Sequence, residues 1–412
     1  MPSLPAILQT GLVPLSKKIK GSMQVAKLNL FLSADALDLQ DSSLTHLARR
    51  VLFYRILNDL DFDFLPWTDY RGSGIERLHE LLADGKGALV ASQHFGAYRR
   101  FYNELLRRGF RVSLVADSRV AGDLATSTSR HLRRTDLDAA EITRRVQRFQ
   151  VIDAEKQGSV REIFDALSAN RVVLFYLDGN TGTSKPGEAP GENTGGGPAT
   201  IKSLGHELRV RLGLAEIAHR RGLPIVPVFC RWQSDLRPRF EILPPIPHEK
   251  NQPAQAAAQQ YVQTFYDLFT DRLKQDPGQF EHLIYFHRWL LGASPLEKAA
   301  LESSRRSVER RLGSGLAARW LHGKAGSFDL GAHQVLAEAK TGRILVAKAE
   351  VSAVAKALSR ADEKGLNISL LKSQTRLEER VLVEILATLR ASDMIDWAEQ
   401  IRTNEPAFAL SD

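Results

Sequence analysis

The sequence has very little cysteine, with a single one among its 412 residues. One thiol cannot form an internal disulfide and cannot supply a zinc site built from several thiolates. Disulfide scaffolds and zinc fingers are therefore excluded. The cysteine, Cys230, stands in an apolar run, which predicts a buried side chain.

The sequence also lacks an apolar run long enough to cross a membrane. A spanning helix needs roughly 20 apolar residues, whereas runs such as 172–177 and 225–230 are far shorter and are typical of strands. The amino terminus has no basic segment followed by a long apolar stretch, as a signal peptide would have. We therefore expect a cytoplasmic protein whose contact with membrane is peripheral, at the inner face.

Positive charge, by contrast, is in excess, with a formal net charge of +8. It is concentrated in residues 99–148, which hold twelve arginines against six acids. Two interpretations are open for this arginine-rich segment. Its side chains pair with nearby acids on a solvated helical surface, or they form a docking face for an anionic partner.

The apolar pattern predicts an α/β fold. With 43% hydrophobic and 25% charged residues, the chain is expected to fold as one large or two medium domains. Helical spacing of apolar residues occurs at 44–60 and 74–82. Four short apolar runs each follow a helical pattern, and they are 87–92, 112–116, 172–177 and 225–229. Such runs predict a mostly parallel sheet with helices on both faces.

Polar residues follow each of these four predicted strands. His94 comes after the first, Asp117 and Arg119 after the second, Asp178 after the third and Arg231 after the fourth. Ligand sites in open parallel sheets lie beyond the carboxyl ends of the strands. We therefore expect a site at this edge, with His94 as a candidate base.

Residues 87–98, which read GALVASQHFGAY, carry a resemblance to a known family. They resemble the first sequence block of the lipid A late acyltransferases, the lauroyl and myristoyl transferases of the lysophospholipid acyltransferase superfamily. That block is a strand, then His-Phe-Gly, then an acid five positions after the histidine. Other segments resemble further parts of the family in the same order. Upstream these are 27–31 and 74–82, and downstream they are 172–178, 204–205, 211–218, 223–229, 277–280 and 287–289.

The resemblance spans about residues 17–291 and implies a glycerolipid-acyltransferase-like fold. It implies transfer of a fatty acyl group, in lipid biosynthesis, from an acyl-carrier-protein or coenzyme A thioester to a hydroxyl or amine. No cofactor and no metal is expected. In the family the histidine is the general base and the acid orients it. His94 takes the base's position here.

One departure from the family bears on mechanism, because Arg99 occupies the position of the acid. A guanidinium cannot accept the imidazole N–H. Three alternatives remain open. Another carboxylate, Asp178 or Asp117, orients His94. Or the acceptor is an amine or another good nucleophile, and Arg99 holds an anionic acceptor or phosphate. Or the chemistry is lost and the cleft of a silent relative binds acyl chains or a partner.

Other residues are expected to bind substrate through charge or through a glycine turn. The arginine-rich segment would dock the acyl-carrier protein or an anionic lipid. The candidate substrate-binding residues are Arg99, Arg119, Arg130, Arg231 and Gly205.

A second domain is expected after the resemblance ends, giving an amino-terminal segment 1–19, an α/β domain 20–292 and a helical domain 293–412. The last contains one predicted strand, 343–347, and a final helix, 377–389. It resembles winged-helix modules and the small domains that hold leader peptides in peptide-tailoring pathways, which implies a peptide or protein partner. A packing or dimerisation appendage is the alternative. Nucleic acid is not expected, because residues 299–412 have little excess charge.

Overall fold

The structure is a computed structural model that describes residues 17–64, 70–133, 137–178, 199–247, 251–290, 296–330 and 333–398. Most of the predicted amino-terminal segment, 1–19, lies outside these ranges. The chain divides into two units, Val25–Leu291 and a second unit of Gly292–Asp412 with Met1–Gln24. In the described parts of the chain, no helix combines the length and apolar character needed to cross a membrane.

Helices and strands alternate through the first part of the chain. In chain order the elements are α1 (Lys17–Leu32), α2 (Ala34–Leu37), α3 (Asp41–Phe64), β1 (Arg71–Ser73), α4 (Ile75–Ala83), β2 (Ala88–Ser92), α5 (Tyr98–Arg107), β3 (Val112–Ala116), α6 (Ser118–Arg133), α7 (Ala139–Arg148), β4 (Phe149–Asp153), α8 (Ser159–Ser168), β5 (Val172–Tyr176), β6 (Ala199–Ser203), β7 (His206–Val210), α9 (Gly213–Arg221), β8 (Ile225–Trp232), β9 (Pro238–Ile242), α10 (Ala254–Gln275) and two 3₁₀ helices (Pro277–Gln279 and Glu281–Arg288).

Seven of these strands form one sheet, in the order β1-β9-β8-β2-β5-β3-β4. The five strands from β8 to β4 are parallel, whereas β9 runs antiparallel to β8 and pairs in parallel with β1. The predicted α/β class with a mostly parallel sheet is therefore confirmed. The four predicted strands are β2, β3, β5 and β8, and they are adjacent members of this sheet.

Both faces of the sheet are covered, which explains the continuous apolar runs. All five residues of β2 are buried. On one face Val90 shares a core with Phe101 and Leu105 of α5. On the other face the Phe229 ring of β8 lies 5.4 Å from that of Phe265 on α10. A strand between two such layers has no polar face to show in its sequence.

The strands that the apolar pattern did not predict have polar residues in them. Both β1 and β9 carry exposed arginines, and β4 contains Gln150 and ends on Asp153. A separate hairpin joins β6 and β7 through Leu204 and Gly205, with φ values of 51° and 79°. Two successive positive φ angles define a tight hairpin turn, which glycine favours.

The carboxy-terminal unit has more strands than predicted. Its elements are α11 (Lys298–Gly313), β10 (Ala318–Trp320), β11 (Ala325–Asp329), β12 (Gln334–Glu338), β13 (Ile344–Ala347), α12 (Ala349–Arg360), α13 (Ile368–Thr375), α14 (Glu379–Ala391) and β14 (Ile395–Trp397). The predicted strand and final helix correspond to β13 and α14. The other four strands are short or interrupted by polar residues, so their pattern is weak. Antiparallel pairs β10–β14 and β11–β12–β13 cover a core that includes Trp320, Leu386 and Trp397.

Candidate active site

His94 lies in the loop that joins β2 to α5, at the carboxyl edge of the sheet. The loop is pressed against β8, because a Cβ atom at Gly96 would overlap the backbone oxygen of Cys230. Gly96 also has φ of 58°, where a side chain is strained. Glycine at this position therefore lets the loop reach β8 and fixes where His94 stands.

Asp178 follows β5, the strand next to β2, and it contacts the His94 ring directly. Its Oδ1 lies 2.7 Å from Nδ1 of His94, and its Oδ2 accepts from the His94 backbone N–H at 3.1 Å. The Asp178 side chain is fully buried, and that of His94 is 17% exposed. Because a carboxylate only accepts hydrogen bonds, the Gln93 amide faces it through nitrogen, 3.1 and 3.0 Å from the two oxygens.

A second imidazole, which was not predicted from the sequence, completes this cluster. His282, in the second 3₁₀ helix, places Nδ1 3.3 Å from Oδ2 of Asp178. Its ring stacks on that of His94, with centroids 3.7 Å apart and planes 14° apart. The segment is held there by a bridge between Phe95 and Phe280 and by the backbone N–H of Glu281, which donates to the His94 carbonyl at 3.0 Å.

The two imidazoles contact the same buried carboxylate, but their pKa values are shifted in opposite directions. Burial lowers the pKa of His94, and a charge on His282 lowers it further. Burial would also lower the pKa of His282, but Asp178 and Glu281 raise it overall. Burial alone would raise the pKa of Asp178, but the two histidines hold it well below its usual range. His94 is thus the neutral imidazole, with Nε2 left to accept a proton because Nδ1 faces Asp178.

His94 and His282 line a cavity of about 550 Å³. Most of its wall is apolar, from side chains of β3, α6, α8 and α9. These apolar side chains include Leu114, Val115, Val120, Leu124, Val160, Ile163, Leu214 and Ile217. Asp117 lines the same cavity, and its carboxylate accepts from the backbone N–H of Val120 at 3.2 Å, in the first turn of α6. Of the two carboxylates predicted as partners of His94, Asp178 is the one in contact with the ring.

Arg99 lines this cavity but is bound to two acids. Its Nη1 lies 2.7 Å from Oδ1 of Asp59, and its Nη2 lies 3.5 Å from Oε1 of the buried Glu281. Its Nε donates to the hydroxyl of Tyr98 at 2.8 Å. An acid at this position would stand beside two others, so Arg99→Glu is not expected to recreate the family's pair.

Of the remaining predicted residues, those whose side chains the structure describes make no hydrogen bond, ion pair or ring contact with the His94 ring. Arg130 is exposed on α6, and Arg119 lies in the first turn of α6 with its side chain outside the described residues. Arg231 donates from Nη1 to Oε1 of Gln275 and lines a different cavity. Gly205 forms the β6–β7 hairpin turn, which gives it a backbone role rather than a binding one.

The arginine-rich segment is partly paired with nearby acids. Arg107 and Arg108 both bind Glu104, at 2.7 and 2.6 Å, and Arg145 binds Glu141 at 2.6 Å. These ion pairs bear out the solvated-surface interpretation for part of the segment.

The donor atoms of His94, Asp178 and His282 lie within 4.8 Å of one another, so this set could hold a metal ion. Two ligands about 2.1 Å from a tetrahedral metal would be about 3.4 Å apart. The Nδ1 of His94 is 2.7 Å from Asp178, which is a hydrogen-bond distance. The spacing therefore suits a shared proton better than a metal.

No side-chain hydroxyl or thiol of a described residue is hydrogen-bonded to His94. The buried thiol of Cys230 is not an alternative nucleophile, because burial raises its pKa to about 12.

Comparison with known sequences does not assign the chain to a family. No protein-family model and no curated protein sequence matches the chain. The geometry alone therefore carries the functional argument, with a neutral imidazole, oriented by a buried carboxylate, at the wall of an apolar cavity.

Proposed function

We propose that this protein is an acyltransferase that moves a fatty acyl group from an acyl-carrier-protein or coenzyme A thioester to a hydroxyl or amine acceptor. One observation carries the proposal. His94 is held at 2.7 Å by the fully buried Asp178 and lines an apolar cavity of about 550 Å³. A base beside an apolar chain-sized cavity suits a substrate with an acyl tail and a reactive carbonyl.

The reaction proceeds by direct transfer. Nε2 of His94 takes the proton of the acceptor while the acceptor's oxygen or nitrogen attacks the thioester carbonyl carbon. The tetrahedral intermediate then expels the thiolate as the carbon–sulfur bond breaks. The thiolate takes the proton back from the His94 imidazolium, which Asp178 stabilises in the meantime. An ester or amide and a free thiol are the products.

His282 has the complementary role in this scheme. Of the two stacked imidazoles it is the one with the raised pKa, because Asp178 and Glu281 favour its charged form, and the proposed scheme uses that form beside the reacting carbonyl. A fixed donor or charge of this kind stabilises the oxyanion of the intermediate. Glu281, held by Arg99 and by the Tyr98 hydroxyl at 3.1 Å, supports that charge from behind.

The apolar wall supplies binding energy for the acyl chain. Burial of each methylene contributes about 0.8 kcal/mol, so a tail of several carbons provides most of the affinity. The apolar side chains named above come from four helices and strands of the α/β unit, namely β3, α6, α8 and α9. A fixed wall of this kind favours chains up to a limiting length.

The test is single-turnover transfer by the purified full-length protein. Lauroyl-coenzyme A or lauroyl-acyl-carrier protein is mixed with excess enzyme and hydroxylamine as a small amine probe, and the release of thiol is followed. We expect release well above the rate of the donor without protein, together with formation of the hydroxamate. If neither donor reacts and lauroyl-coenzyme A still binds in the cavity, the protein is the silent binding relative instead.

The pH dependence of kcat/KM is expected to be bell-shaped. Activity needs neutral His94, whose pKa is lowered, so the rising limb lies below pH 6.5. It also needs charged His282, whose pKa is raised, so the falling limb lies above pH 6.5. His282→Gln should abolish the falling limb. It should also move the rising limb to higher pH, because the His282 charge no longer lowers the pKa of His94. A falling limb that persists in this variant contradicts the role of His282.

Partners and location form a further part of the proposal. Exposed arginines such as Arg130 and Arg133 on α6 would attract an acidic carrier protein or anionic lipid, in the cytoplasm or at the inner face of a membrane. In the carboxy-terminal unit, β13 pairs only with β12 among the described residues, and Val346 on it is 67% exposed. An outer strand of this kind suits a peptide partner that binds as an added strand.

A further inference from the structure

A second cavity, of about 750 Å³, lies in the α/β unit apart from the His94 cavity. His94 lines one of them, and the next residue, Phe95, lines the other. The second cavity is strongly basic, since its lining includes only two acids, Glu241 and Asp276. Its arginines are Arg71, Arg107, Arg108, Arg231, Arg239 and Arg272.

Three of these arginines form a row across neighbouring strands. Arg71 of β1 is in register with Arg239 of β9, and Arg239 is in register with Arg231 of β8. All three side chains are exposed at the cavity. Like charges directly opposite one another on adjacent strands destabilise a sheet. Folding therefore gives no reason for this row, whereas an anion bound between the strands would.

The two acids at the cavity are each paired with an arginine outside the row. Glu241 pairs with Arg272 at 3.3 Å, and Asp276 pairs with Arg50 at 2.6 Å. Among the described residues, no carboxylate forms an ion pair with Arg231 or Arg239. The cavity therefore presents a surplus of guanidinium charge toward its open space.

Buried aromatic side chains also line the cavity. Tyr70, Trp232 and Phe240 are 2, 4 and 1% exposed. Gly72, between two lining residues of β1, is needed for this packing, because a Cβ there would overlap the Phe240 ring. A cavity whose wall combines packed side chains with a row of guanidinium groups suits a small molecule rather than a diffuse counterion cloud.

We propose that this arginine cavity binds the phosphate or diphosphate group of a small molecule. Guanidinium groups bind phosphate oxygens through paired hydrogen bonds. The ligand is a phosphate ester, with two sources for the same chemistry, a free nucleotide-like compound or a lipid headgroup. The inference is independent of acyl transfer, since it requires no reaction at His94.

Calorimetric titration of the full-length protein with sodium pyrophosphate, in low-salt buffer, tests the site. We expect saturable binding that weakens at least tenfold in Arg239→Gln and further in the Arg231→Gln, Arg239→Gln double variant. Loss of one charged hydrogen bond of about 1.5 kcal/mol or more corresponds to such a change. Arg161→Gln is the matched control, because Arg161 is highly exposed on α8, outside this cavity, and it should leave the dissociation constant unchanged.

Two further binding experiments distinguish a free nucleotide-like ligand from a lipid headgroup. Coenzyme A that binds more tightly than pyrophosphate, in an Arg239-dependent way, indicates a nucleotide-like ligand. Vesicles with phosphatidic acid that bind more tightly than phosphatidylcholine vesicles, in an Arg239-dependent way, indicate a lipid headgroup.

A second readout does not depend on any ligand. If the row is held against its own repulsion, Arg239→Gln should resist denaturant better than the wild type when no phosphate is present. Pyrophosphate binding that is absent, or that falls equally in Arg161→Gln and Arg239→Gln, overturns the proposal. Neither result bears on the transfer assay, which is measured at the other cavity.

Discussion

Asp178→Asn is expected to lower the rate of acyl transfer by about 10⁴-fold, the loss seen when the aspartate of a serine-protease triad is neutralised. Asparagine keeps the shape of Asp178 but presents an amide in place of an acceptor-only carboxylate at the His94 ring. The tautomer with Nε2 free is then no longer favoured, and the imidazolium loses its counter-charge. Single-turnover rates with lauroyl-coenzyme A measure the effect, with His94→Ala as the variant that lacks the base altogether.

Asp117→Asn is the matched control for this change. Asp117 lines the same cavity, and its described hydrogen bond is to the first turn of α6. We expect a rate within about threefold of the wild type, because the asparagine oxygen can still accept from the Val120 N–H and because Asp178, not Asp117, contacts the His94 ring. Equal losses in the two variants would mean that carboxylate charge in the cavity matters and that orientation of His94 does not. Thermal unfolding of each variant confirms that the fold is kept.

Arg99→Met is expected to destabilise the fold by about 3 kcal/mol at neutral pH, the cost of leaving a buried charge without its partner. The buried charge is that of Glu281, whose side chain is 7% exposed. Among the described residues it would keep hydrogen bonds from the Tyr98 hydroxyl and the Asn58 amide. It would also keep the influence of His282, which is smaller than that of Arg99. Arg107→Met, on the same helix, is the control. Arg107 is half exposed and Glu104 retains Arg108, so the loss there should not exceed about 1 kcal/mol.

The pH dependence of this effect follows from the pKa of Glu281. Burial would raise that pKa, but Arg99 and the histidines hold it below its usual value. In the wild type, ionised Glu281 therefore stabilises the fold at pH values above its pKa in the unfolded chain. This stabilisation is lost as the pH falls through its lower pKa in the folded protein. Without Arg99 the pKa of Glu281 in the folded protein rises. The stability deficit of Arg99→Met therefore grows with pH. Urea unfolding at pH 5.0 and 7.5 should show the smaller deficit at pH 5.0, and equal deficits would contradict it.

The central strands and the His94–Asp178 pair could be predicted from the sequence for one physical reason. A strand buried on both faces is apolar throughout, so its end is visible as the first polar residue. His94 and Asp178 each lie two residues after the end of such a strand, and the two strands turn out to be neighbours. The sequence could not choose between Asp178 and Asp117, because strand order sets which carboxylate meets the ring.

Glu281 and His282 escaped prediction because their positions depend on a contact between distant parts of the chain. The segment 277–280 resembles part of the acyltransferase family. Nothing in the local sequence, however, shows that the residues next to it fold over β2. A histidine two residues after a phenylalanine is not a recognisable pattern. The only local signal is a histidine next to an acid in an apolar, aromatic stretch. That signal does not show that His282 lies close to His94 in the folded protein.

Arg99 was interpreted from the sequence as a missing acid or a substrate ligand. In the structure its charge is matched by Asp59 and Glu281. The arginine row of the second cavity was hidden for a related reason. Arg71, Arg231 and Arg239 are far apart or on strands of opposite direction, so only the register of the sheet brings them together.

The bridge between Phe95 and Phe280 has a consequence for biosynthesis. The ribosome releases β2 with His94 early and β5 with Asp178 later, but the stretch that covers the His94 ring leaves last in the α/β unit. Until then a nascent chain contains His94 and Asp178 but lacks His282 and one wall of the cavity. Because domains fold as units during synthesis, the reactive imidazole is assembled together with its enclosure. Incomplete translation products therefore lack the complete site.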